Sequence, residues 1–234
     1  MLHYYEASRS TRPFLRCCSL EIFQPFNQGS STLYHKKYFS PLILFLLFLI
    51  VTSTVSTSVV AEDSADLTLK VRKIAEDCRD EVTALFQKFL SSNTLSSSQL
   101  FDTFYIPIPN TFPQKYHTQY DKVTDNALRT ILDRYLFMDK RLLFVVAVDK
   151  NGYLPTHNSK YSKPLTSDPD YNAKNNRTKR LFNDRTGLAA ARNTKPFLLQ
   201  EYSRDTGEQL ADLSVPLYIN GKHWGAIRVG YKNN

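Results

Sequence analysis

With 234 residues, of which 42% are hydrophobic and 22% charged, the chain lies in the ordinary globular range, which excludes disorder as its basic state and allows one main domain. Its formal charge of +8 suits an anionic small molecule, an anionic envelope surface or simple solubility. Of its 3 cysteines, Cys17 and Cys18 are adjacent near the start and Cys78 stands alone beyond residue 61, so an internal disulfide framework is ruled out there.

The first elements concern address rather than fold. Residues 1–40 show no repeat or period and read as an N-terminal extension, compatible with a start assigned upstream of the true one. The run LILFLLFLIV at 42–51 follows Lys36 and Lys37 and leads into TSTVSTSVVA, the layout of a signal peptide cut after Ala61. The same stretch, 41–61, is also long enough for one membrane anchor. Under either reading, basic residues precede it and Glu62, Asp63 and Asp66 follow it, which places residues 62–234 outside the cytoplasm. A periplasmic or other extracytoplasmic domain, secreted or anchored, has little use for nucleic acid as a partner.

Beyond the acidic stretch, Leu67, Val71, Ile74, Cys78, Val82, Leu85, Phe86 and Phe89 recur at the spacing of one helical face, and predict a long amphipathic helix over about 67–90. Cys78 falls within that stripe and reads as a small buried hydrophobe. Serines in SSNTLSSSQL end the helix and offer caps for a short second one. Pro107, Pro109 and Pro113 make the next segment extended or looped. A further amphipathic helix is predicted over 120–138, with Val123, Leu128, Ile131, Leu132, Tyr135 and Leu136 on one side.

From residue 142 the texture becomes that of strands. LLFVVAV, a DKNG turn and Tyr153–Leu154 predict a β-hairpin, because Asn-Gly is a strong hairpin signal. Three more strands follow residue 195, divided by RDTG and NGK. The expected fold class is therefore α+β, with about five antiparallel strands and a long N-terminal helix. The polar stretch 159–195 is too long for a structureless connector, so it is expected to carry function or short helices that cover a sheet face.

The segments VDKNGYLPTHN, NRTKRLFNDRTGLAAARNTKPFLLQEYSRDTG and DLSVPLYINGKHWGAIRVGY closely resemble a sensor-like region of bacterial methyl-accepting chemotaxis proteins, of Cache/PAS-like type. The resemblance is strong over residues 144–231 and looser from the first helix onward. It implies a ligand-binding sensor domain. The sequence departs from such receptors in having no heptad-rich signalling hairpin, no HAMP-like linker and no kinase or cyclase motif, so a sensor of this kind would act through a partner.

Within the polar stretch, Arg177, Arg180, Arg185 and Arg192 are donors suited to a carboxylate or phosphate, and Asn176, Asn183 and Asp184 could meet amino or hydroxyl groups. His157 and Asn158, at the end of the predicted hairpin, would face the cavity of a PAS-like sheet. These nine residues are the candidate site for a small anionic or zwitterionic metabolite. The competing reading is structural: Asp184 and the arginines cap and brace the loop, while Leu181 and Phe182 pin it to the core.

No histidine pair has metal-ligand spacing, no cofactor motif is present, and neither a nucleophile elbow nor a phosphate-cradling loop occurs, so neither metal, cofactor nor catalysis is expected. Two function classes remain: an extracytoplasmic ligand-binding sensor module, able to work as a homodimer or with a membrane-bound signalling partner, and an envelope interaction or structural protein, or remnant of a longer chemoreceptor.

Overall fold

The computed structural model describes residues 41–203, 207 and 209–232, with side chains from residue 66 onward. The expected extension at 1–40 lies outside the described residues. The chain divides into the units Met1–Phe48 and Leu49–Asn234. Of the first, only the backbone of 41–48 is described, as the opening of helix α1 (Pro41–Ser91). Among the described residues no helix is long and apolar enough to cross a membrane. The signal or anchor expectation at 41–61 rests on side chains outside that set.

In the second unit the elements run, after α1, as α2 (Ser97–Leu100), β1 (Ile106–Ile108), β2 (Lys115–His117), α3 (Asp121–Leu136), β3 (Leu142–Asp149) and β4 (Tyr153–Leu154). A 3-10 turn (Ser159–Tyr161), α4 (Pro169–Asn175), β5 (Arg180–Leu181) and α5 (Arg185–Ala191) follow, then β6 (Leu198–Ser203), β7 (Gln209–Ile219) and β8 (Lys222–Tyr231). The fold is α+β. A four-stranded antiparallel sheet has the order β3-β8-β7-β6, and two-stranded ladders join β1 to β2 and β4 to β5.

One face of the large sheet meets the helices. Val71, Cys78, Val82 and Phe86 of α1 and Leu128 and Leu132 of α3 are fully buried against Val145, Leu213, Val215, Ile227 and Val229. Each such side chain contributes roughly 1.5–3 kcal/mol by leaving water. Trp224 closes this core, with its ring 5.1 Å from Phe86 and 5.8 Å from Tyr120 and its indole N–H donated to Leu100 O at 2.9 Å. Alternation along the strands sends Phe144, Val146, Val148, Leu210 and Ala226 to the opposite face, into a second cluster with Leu154 and Ala191.

The predicted hairpin at DKNG is corrected by this topology. The turn itself forms: Gly152 N–H donates to Asp149 O at 2.9 Å, and Gly152 supplies φ +80°. No ladder grows from it, since β3 pairs with β8 from Leu142↔Tyr231 to Asp149↔Gly225 and β4 pairs with β5 instead. Turn chemistry is local, whereas β3 takes the long apolar partner that buries both faces. The main sheet thus has four strands where about five were expected. The stretch 159–195, read as too long for a bare connector, contains two short helices and β5.

Candidate functional site

Asp149 fixes where the chain leaves the sheet. Its Oδ1 accepts from the N–H groups of Asn151 and Tyr153 at 2.9 and 3.0 Å, and its Oδ2 from the hydroxyls of Tyr105 and Tyr120 at 2.7 and 3.0 Å. Burial nonetheless raises its pKa above the usual carboxylate range, against the pull of these donors. The turn directs β4 to β5, with Leu154 opposite Arg180, and Phe182 N–H bonds Gly152 O at 2.9 Å. A Cβ at Gly152 would lie 2.3 Å from Phe182 O and one at Gly187 only 2.1 Å, so glycine at both positions lets this loop settle on the sheet.

Three further ties hold residues 176–184. Lys115 Nζ, on β2, lies within hydrogen-bond reach of three oxygens, Asn176 O at 3.1 Å, Asn176 Oδ1 at 2.6 Å and Thr178 O at 2.6 Å. Lys179, at φ +60°, donates to Asp121 Oδ2 at 2.9 Å, and that oxygen also accepts from Tyr153 OH at 3.2 Å and lies 2.7 Å from His117 Nδ1. Burial pushes the Asp121 pKa up, but the hydrogen bonds from Lys179 and His117 outweigh it and leave it lowered. Asp184 Oδ1 accepts from Thr186 and Gly187 N–H at 3.0 and 2.9 Å, capping α5.

The space left between sheet and loop is a cavity of about 450 Å³, a volume typical of small-molecule sites. Its buried lining includes Phe144, Val146 and Val148 from β3, Leu154, His157, Arg177 and Arg228; its exposed lining includes Asn183, Asp184 and Ser203. His157 is 3% exposed, its Nδ1 accepts from Asn158 N–H at 2.8 Å, and its ring lies 4.8 Å from Tyr161 and 6.1 Å from Phe144. Arg177 and Arg180 each donate to Ala173 O, at 3.3 and 3.2 Å, and lie 5.1 and 4.9 Å over the Phe182 ring.

Of the nine residues marked in the sequence, the fold brings His157, Arg177, Arg180, Asn183 and Asp184 to the cavity wall. The other four lie elsewhere. Asn158 Oδ1 accepts from Val145 N–H at 2.9 Å, and Asn176 is spent on Lys115 and on Lys163 O. Arg185 is exposed in the first turn of α5, and Arg192 Nε donates to Lys150 O at 3.2 Å. The bracing reading is also present in part, since Asp184 caps α5 and Phe182 packs into the second cluster.

Sequence reasoning passed over Arg228, on the cavity floor. Its Nε donates to Asp212 Oδ2 at 3.1 Å, and its Nη2 donates to the same oxygen and to Tyr202 OH at 3.2 Å; Tyr202 OH in turn donates to Asp212 Oδ2 at 3.0 Å. Burial pulls the guanidinium pKa down, but Asp212 and Tyr202 more than offset that and keep it charged. The available signal was the alternation in AIRVGY, which sets a lone arginine between Ala226 and Gly230 on the face opposite Ile227 and Val229.

No family model matches the chain, and no curated protein matches it. Among solved structures, an extracellular ligand-binding receptor from Desulfohalobium retbaense aligns at 15% identity and a TM-score of 0.33, covering 68% of this chain and 24% of that one. The chain therefore spans about a quarter of the receptor's length, and a likeness at that score carries no argument about the activity of this protein.

Proposed function

We propose that this protein is an extracytoplasmic sensor-like module of Cache/PAS-like, chemoreceptor type that binds a small anionic or zwitterionic metabolite without turnover and has no signalling output of its own. One observation carries the reading: a cavity of about 450 Å³ with apolar strand side chains on one side and three arginines in its lining. A structural loop needs no such chamber. Taking a charged side chain out of water costs several kcal/mol, so stability alone is a weak reason to gather these arginines around a chamber. Acting through a partner, the module would use a second copy along α1 or a membrane-bound signalling protein.

A thermal-shift screen of the purified protein against amino acids, organic acids, polyamines and nucleobases tests the reading. A true ligand at 100 times its Kd adds about 2.7 kcal/mol, which raises Tm by roughly 5–10 °C for a chain of this size. Flat melting curves from a cooperatively unfolding protein would refute it. The rival, an envelope interaction protein, is favoured by the exposure of Phe104, Ile106 and Phe112 at 73%, 52% and 68% along the proline-rich segment. Flat curves together with capture of an envelope partner that is lost on changing these three residues would establish the rival.

A further inference from the structure

We propose that Arg228 is the anchor for the ligand's charged group, and that the ligand is a small monocarboxylate with an apolar body. The inference rests on the ligand-binding reading and names the chemistry of that site. A guanidinium has five N–H donors. In Arg228, Nε–H is taken by Asp212 and both Nη2 hydrogens are taken by Asp212 and Tyr202. Among the described residues Nη1 has no hydrogen-bond partner, and the side chain that carries it lines the cavity while only 6% exposed. Two donors of a buried cation thus remain unspent at the floor of a chamber that has room for an acceptor, and a charged acceptor is the one that repays their desolvation best.

The other two arginines are occupied differently. Arg177 and Arg180 share Ala173 O and lie over the Phe182 ring, contacts that hold the loop in place. Arg228, by contrast, is oriented by Asp212 and Tyr202 from the side away from Nη1, the arrangement that pre-sets a binding group before the ligand arrives. Gly230 lets the Phe144 ring lie across the strand two residues from Arg228, since a Cβ there would fall 2.2 Å from that ring. Phe144, Val146, Val148 and Leu154 then offer the ligand's body an apolar wall. The two N–H groups left on Arg228 Nη1 match the oxygens of one carboxylate, so the site suits a single negative charge.

The test measures binding of hexanoate and benzoate, beside hexanamide, benzamide and hexylamine, to the full chain by calorimetry and thermal shift. The wild type is compared with Arg228→Gln/Asp212→Asn, which removes both buried charges together, with Tyr202→Phe, and with Arg180→Ala. Expected are acids binding at least 10-fold tighter than their amides, no response to the amine, a loss of about 10- to 100-fold in the double variant, and less than 10-fold in Arg180→Ala. Equal binding of acids and amides overturns the proposal, as does an acid site that survives the double variant and is lost in Arg180→Ala. If the double variant does not fold, acid against amide on the wild type decides. Binding of another compound class with no response to the acids overturns this inference and leaves the sensor reading standing. Silence across the whole screen removes both.

Discussion

Lys115 is 3% exposed, and burial, followed by the nearby charges of Arg180 and Lys179, lowers its pKa from 10.5 to about 7. Between pH 7 and 9 it is then mostly neutral in the folded protein and charged in the unfolded chain, so unfolding takes up a proton. Stability must climb as pH rises through that window, at about 1.4 kcal/mol per pH unit, or roughly 2–3 kcal/mol over two units. Lys115→Met keeps the length of the stem and removes the titration. Urea unfolding of both proteins from pH 7 to 9 isolates the effect, because every other titrating group is common to the pair. The wild type should gain roughly 2–3 kcal/mol relative to the variant. Parallel profiles would refute the reasoning: they would mean that the three oxygens around Nζ, from Asn176 and Thr178, hold an ammonium as well as water does.

Trp224→Ala should cost about 3–5 kcal/mol through the cavity it leaves between Phe86 and Tyr120, a fall in Tm of roughly 6–20 °C by calorimetry. Gly187→Ala drives a methyl group against Phe182 O and should cost about 1–3 kcal/mol while blunting any ligand-induced shift, both readable in one melting series. Hydrogen bonds from Arg141 and then Lys70 hold the Asp139 carboxyl well below its usual range, so its contribution is present above about pH 4 and lost on acidification. Asp139→Asn should flatten the stability loss between pH 5 and 2 by roughly 1 kcal/mol, a modest figure because Lys70 is half exposed.

Patterns read correctly in the sequence are those fixed by neighbours. The stripe from Leu67 to Phe86 is buried in the helix apart from the half-buried Leu85, and glycine takes positive φ at Gly207 and Gly221 ahead of β7 and β8. Long-range choices were hidden. Asn-Gly could announce the turn at Gly152 but not that β3 would prefer β8 to β4, which is decided by how much apolar surface each partner covers. The cluster NNRTKRLFNDRTG pointed to the right loop, yet only the folded chain separates Arg177 and Arg180 at the wall from Arg185 in solvent. The roles of Lys115 and Arg228 were hidden because their partners, Asn176 and Asp212, lie 61 and 16 residues away along the chain; alternation in AIRVGY marks only the face on which Arg228 stands.

The strand order has a consequence for how the protein is made. β8 lies between β3 and β7, so Val146 finds its partner in Arg228. During synthesis β3 emerges with all eight residues apolar or destined for the interior and has no ladder to join until residues 222–231 follow. Closing so long a loop before any sheet contact rewards it slows folding and leaves a sticky nascent segment exposed. Until β8 appears, 142–149 is therefore the strand that a holding chaperone would have to cover.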